Sequence, residues 1–90
     1  MDWNKYSFVA RGRNRKRILL KLTSPMTPTQ LTLAAEVSIS HVSKALRDLR
    51  SKNLVECINP EEKVGKIYRR TRDGDEIAEY LLKLGEKAKE

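Results

Sequence analysis

With one cysteine, one histidine, three prolines and four glycines in 90 residues, the chain is poor in the residues that staple, ligate or cradle. A lone Cys57 permits no disulfide within the chain, so the fold must rest on a hydrophobic core, and a reducing, cytoplasmic setting is expected. His41 is the one histidine, and Cys57 the one cysteine that could join it. That pair does not make a metal site of any usual spacing, and neither metal nor cofactor is expected. The chain has no Gly-rich phosphate loop and no pair of titratable groups in a recognisable pocket motif, which argues against an enzyme. No apolar run approaches the roughly 18 residues that span a bilayer. The opening MDWNKYSFVARGR lacks the apolar stretch of a signal peptide.

What the chain has in quantity is positive charge. Lysine and arginine outnumber aspartate and glutamate 19 to 12, and the excess is unevenly placed. Lys5, Arg11, Arg13, Arg15, Lys16, Arg17 and Lys21 face only Asp2 in the first quarter, whereas residues 73–90 are net acidic. A basic front and middle with an acidic tail points to a polyanionic partner met by one side of the molecule. A merely solvated basic surface has the same total, so the decision falls to the pattern of elements. The apolar fraction of 39% is enough for one small core, and the whole chain, 1–90, reads as a single domain.

Apolar spacing predicts a first helix over 13–22, with Ile18, Leu19 and Leu22 on a broad buried arc and Ser24-Pro25 ending it. Residues 1–12 read as a basic and aromatic arm. Thr27-Pro28-Thr29-Gln30 has the marks of a helix start, with a capping threonine, a proline at the first helical position and a glutamine to close a capping box. The short LTLAAE helix that follows is separated by a few residues from a longer helix over 38–52. Val42, Ala45, Leu46 and Leu49 form that helix's apolar stripe, with Ser40, Lys44, Arg47 and Ser51 opposite. Two helices joined so tightly must cross steeply, as in a helix-turn-helix. Residues 54–58 and 66–71 read as strands around a loop with Pro60 and Gly65 at its shoulders. A last helix, 72–90 in outline, has the stripe Ile77, Tyr80, Leu81 and Leu84, with Gly85 as its expected stop. The class is α+β, mainly α.

The run TPTQLTLAAEVSISHVSKALRDLRSKNLVE, followed by NPEEKVGKIYRRT, resembles winged helix-turn-helix regulators of the broad MarR and ArsR superfamily, most of all small archaeal members. The likeness covers roughly residues 13–80 and lies in the order of its parts, with no single diagnostic motif. Two positions depart from it: Glu36 and Asn53 stand where glycine is common. Arg70 is a third departure, in a strand position usually apolar.

The resemblance implies sequence-specific binding of double-stranded DNA by a small transcription regulator, with helix 38–52 in the major groove and wing 59–66 on the backbone or in the minor groove. On the helix, Ser38, Ser40, His41, Ser43, Lys44 and Arg47 are the candidate contacts, since arginine can grip guanine bidentately. On the wing they are Lys63, Lys66 and Arg69. Arg11, Arg13 and Arg15, with Thr29 and Gln30, are candidates for the phosphate backbone. Trp3, Tyr6, Ile77, Tyr80, Leu81 and Leu84 are candidates for a homodimer interface, against which stands the packing of the last helix onto the first within one chain. Rival readings are a winged helix used for protein docking or RNA binding, and a sequence-neutral, chromatin-like DNA binder. No segment resembles an effector domain, so any small-molecule effector is unknown.

Overall fold

Asp2 starts the first helix. Its carboxylate accepts hydrogen bonds from the Asn4 and Lys5 amides at 3.0 and 3.2 Å, which satisfies amides that a helix start leaves unpaired. The computed structural model describes residues 1–89. It contains α1 (Trp3–Arg11), α2 (Arg13–Lys21), α3 (Pro28–Ala35), α4 (Ile39–Ser51), β1 (Val55–Cys57), β2 (Tyr68–Arg70) and α5 (Arg72–Lys89). The expected mainly helical α+β order is therefore present, with one correction at its beginning. Residues 1–12 are not an arm: α1 is a capped helix, and its Val9 is fully buried in the common core. A single apolar anchor among aromatic and basic residues carried too little periodicity to announce it.

α2 is the hub and touches each of the other four helices. It buries Ile18 and Leu19, with Leu22 just past its end, and each such side chain contributes about 1.5–3 kcal/mol when fully removed from water. α3 opens with the expected capping box. The Thr27 hydroxyl accepts from the Gln30 amide at 3.2 Å, and the Gln30 side chain accepts from the Thr27 amide at 2.9 Å. The helix ends at Glu36, whose φ of 55° and ψ of 47° lie in the left-handed region, where a β-carbon is disfavoured. Arg17 holds this turn from α2: its guanidinium donates to the Ala35 carbonyl and meets the Glu36 carboxylate at 3.5 Å. α4 ends in the same way. Asn53 has φ of 58°, and the Leu54 and Asn53 amides bond back to the Leu49 and Arg50 carbonyls, each at 3.0 Å, which closes a Schellman motif.

The two strands pair antiparallel, with Val55 opposite Arg70, Glu56 opposite Arg69 and Cys57 opposite Tyr68. They are shorter than expected, although an Ile58 amide to Ile67 carbonyl bond of 2.9 Å adds one rung. Met26, in the segment read only as a break, forms a bridge to the outer side of Tyr68 through reciprocal bonds of 2.9 and 2.8 Å. This pins the start of the helix-turn-helix to the hairpin.

α5 begins where the Thr71 hydroxyl accepts from the Gly74 amide at 3.2 Å. It does not stop at Gly85 but runs on to Lys89. A glycine costs a helix only about 1 kcal/mol against alanine, and the following Glu-Lys-Ala-Lys are all good helix formers. Its inner side closes the core with Ile77, Ala78 and Leu81. Ile77 and Leu81 are thus buried within one chain and are not available to a second copy, which corrects their expected place in a dimer interface. Trp3, Tyr6 and Tyr80 also meet within the chain, as three edge-to-face pairs with ring centroids 5.2–5.7 Å apart, a favoured aromatic geometry.

Candidate nucleic-acid interface

α4 is held by one face and presents the other. Val42, Ala45, Leu46 and Leu49 are buried as expected, while Ser40, His41, Ser43, Lys44 and Arg47 are exposed. At about 100° per residue, Ser40, Lys44 and Arg47 form the outward crest, with His41 on one flank and Ser43 on the other. Ser38 precedes the helix without capping it. Its hydroxyl instead meets His41 Nδ1 at 3.0 Å and the Ser40 hydroxyl at 3.3 Å. The first-turn amides of α4 are therefore free of any side-chain cap, and the positive end of the helix dipole lies open beside two hydroxyls and an imidazole.

The two flanks of α4 face different neighbours. On one side a cleft of about 300 Å3 brings His41, Lys44 and Asp48 against Arg13, Asn14 and Arg15 of α2. On the other, a cleft of about 230 Å3 brings Ser43, Arg47 and Arg50 against Pro28 and Tyr68. Arg50, exposed at the hairpin side of α4, is a basic residue of this surface that the wheel of candidate contacts left out.

The dense basic cluster divides on folding. Arg13 stays exposed and joins the α4 surface, and Arg11 is exposed on a separate groove shared with Lys5 and Lys52. Arg15 is turned inward, which corrects its expected role at the phosphate backbone. Its guanidinium donates to the Phe8 carbonyl at 2.8 Å, stacks 4.0 Å over the Phe8 ring and approaches Asp48 at 3.8 Å. Thr29 is exposed at the start of α3, whereas the Gln30 side chain is engaged in its capping box.

The wing between the strands is shaped by Asn59. Its side chain donates to the Gly65 carbonyl at 3.1 Å and accepts from the Ile67 amide at 2.7 Å, so one residue ties both ends of the loop together. Gly65, at φ of 72°, makes the return turn. The dipeptide Asn59-Pro60 was the available signal, as Asx-Pro sequences initiate turns. Lys63 is exposed at the tip beside Glu61 and Glu62, and Lys66 is half-buried. Arg69 faces outward but is paired across the hairpin with Glu56 at 2.6 Å. Arg70 turns into the molecule, bonding the Leu19 carbonyl at 3.2 Å and Asp75 at 2.8 Å; its head clamps α2 to α5 and is not offered outward.

Among the described residues no group of His, Cys, Asp and Glu could hold a metal ion, and no helix is long and apolar enough to cross a membrane.

No family model and no curated protein matches the chain. Solved structures do. A MarR family transcription regulator superposes with a TM-score of 0.73 at 26% identity, over 96% of this chain and 58% of its own. The chain has the winged-helix fold of MarR-type regulators. A cysteine-to-serine mutant of MarR from E. coli, complexed with operator DNA, matches this winged helix with a TM-score of 0.66 at 25% identity, over 86% of this chain and 57% of its own. A glycine-to-lysine mutant of S. aureus MepR gives 0.75 at 18% identity, over 99% and 71%. None of the three is described as ArsR-like or archaeal. The chain thus spans a little over half the length of the first two neighbours. In winged-helix terms α3 and α4 are the helix-turn-helix, and the Asn59-braced hairpin loop is the wing.

Proposed function

We propose that this chain binds double-stranded DNA sequence-specifically, as a small cytoplasmic transcription regulator acting as a homodimer. The observation that carries the reading is α4 itself, with four apolar side chains anchored in the core and an exposed crest of Ser40, Lys44 and Arg47. The major groove, about 12 Å wide, admits one helix with such a face. The E. coli MarR that shares the fold was solved with operator DNA. In this reading Lys44 and Arg47 meet base edges, while Ser40, Ser43 and His41 meet bases or phosphates at the open end of the helix. Arg13, Arg11 and Lys63 neutralise backbone phosphates on either side, a contribution that weakens with salt, and the Thr29 hydroxyl hydrogen-bonds a phosphate oxygen. Two copies related by a two-fold axis would set their α4 helices about 34 Å apart, matching a palindromic site. We assign the chain no catalytic role.

The test is selection from random duplexes followed by affinity measurement at two salt concentrations. An enriched palindrome with affinity falling steeply as salt rises is the expected result. Arg47→Ala should then cost about 1–3 kcal/mol per half-site and relax preference at one base pair in each, whereas Lys63→Ala should weaken all sequences alike and reduce the salt slope by about 1 per half-site. Salt-sensitive binding without enrichment would leave a sequence-neutral binder. No duplex binding would overturn the proposal in favour of protein docking or RNA.

A further inference from the structure

Ile39 is out of keeping with its surroundings. It occupies the first turn of α4 between Ser38 and Ser40, yet 53% of its surface is exposed. A β-branched residue brings neither a cap nor helix propensity to such a position, and the core is complete without it, since the buried side of α4 begins at Val42. At helical spacing Ile39, Ser43 and Arg47 lie four residues apart in sequence, one above another along the same edge of the helix. Ser43 and Arg47 line the cleft toward the hairpin. Ile39 therefore continues a contact row toward the end of α4 that enters a groove first. Single exposed apolar side chains are ordinary on protein surfaces; Ile39 differs in standing at the edge where the buried stripe of Val42 and Leu46 meets the outward row, with Ser43 and Arg47 next along it.

The chemistry of the partner supplies the complement. Among the groups that base pairs present in the major groove, the one apolar group is the thymine 5-methyl. We propose that Ile39 is a specificity-determining residue that packs on a thymine methyl, so that each half-site carries a T·A pair read from the leading end of α4. The assignment rests on the DNA-binding reading above and adds to it a base identity and the residue that selects it.

The experiment uses the full chain and the selected duplex, with each thymine replaced one at a time by deoxyuridine, which lacks only the methyl. Wild type should lose roughly fourfold in affinity at one thymine per half-site, the equivalent of about 0.8 kcal/mol for a buried methyl. Ile39→Ser, which removes the contact from both copies of the dimer, should bind the thymine duplex roughly fifteenfold weaker and no longer distinguish thymine from deoxyuridine at that position. Ile39→Val, which keeps a branched apolar tip, should retain the discrimination. An unchanged methyl penalty in Ile39→Ser, or none in wild type, overturns the assignment while leaving sequence-specific binding in place. Absence of any duplex binding removes both.

Discussion

At Gly74, in the first turn of α5, an added β-carbon would stand 2.1 Å from the Leu54 carbonyl oxygen and 3.1 Å from its carbon. Both atoms belong to one backbone peptide group, which cannot swing aside as a flexible side chain would, so the glycine is required by the close approach of α5 to the start of the hairpin. Helix propensity by itself would favour Gly74→Ala by about 1 kcal/mol. Overpacking of this kind destabilises by about 1–3 kcal/mol, and we expect urea unfolding of the variant to show that net loss; a gain in stability would mean that α5 is not seated as described. The sign of one measurement thus separates local preference from tertiary contact. Glu36 poses the opposite case, a residue held in the left-handed region by its surroundings. Its ion pair with Arg17 involves a carboxylate side chain that is 82% exposed and so adds little. The Arg17 bond to the Ala35 carbonyl does more, because it satisfies the end of α3.

Between elements, α1 and the start of α5 are joined by charge. Lys5 of α1 donates to Asp73 of α5 at 2.9 Å, and the N-terminal ammonium lies 3.2 Å from Glu76. The Asp73 carboxyl is held below its ordinary value of 3.8, first by the Lys5 hydrogen bond and then by the Lys5 charge. Partial desolvation opposes these, while Arg72 and the N-terminus assist. A folded-state value below the unfolded one means that the carboxylate contributes stability above about pH 4, and that this contribution is lost as pH falls through the lower folded value. Thermal unfolding of wild type and Asp73→Asn from roughly pH 5 to pH 2 should therefore converge toward the acid end. Curves that stay parallel across that window would show that the α1–α5 pair has no thermodynamic role.

On the scale of the whole molecule, folding leaves a remnant of the expected dimer surface. Ile77 and Leu81 are spent on the core, but Trp3 is 57% exposed and Leu84 39%, and Leu82, outside the expected set, adds an apolar side chain 54% exposed, on the two helices that carry the aromatic trio. A charge at Leu81 would break the core and report nothing about assembly. Trp3→Glu with Leu84→Glu is the informative variant. It should fold, sediment as a monomer and bind a palindromic duplex about 100-fold more weakly, because two linked half-site contacts reinforce each other by at least this factor. A wild type that sediments as a monomer at the concentrations where it binds would overturn the dimer.

Local signals determined much of this protein. The capping box at Thr27, the four-residue stripe of α4, the left-handed Asn53, the hairpin and the basic crest with Lys44 and Arg47 all follow from periodicity and turn chemistry that act within a few residues. What only the tertiary structure decided is which charges and apolar groups remain on offer. Arg15 and Arg70 look in sequence like their exposed neighbours Arg13 and Arg69, and they differ because carbonyl groups of Phe8 and Leu19 come within reach only after the helices pack. The same packing drew Val9 and its helix into the core, took Ile77 and Leu81 from the surface, and left Ile39 outside. Helical period states which residues share a side. It does not state which neighbour, if any, arrives to cover that side, and that is settled by contacts between residues far apart in the chain.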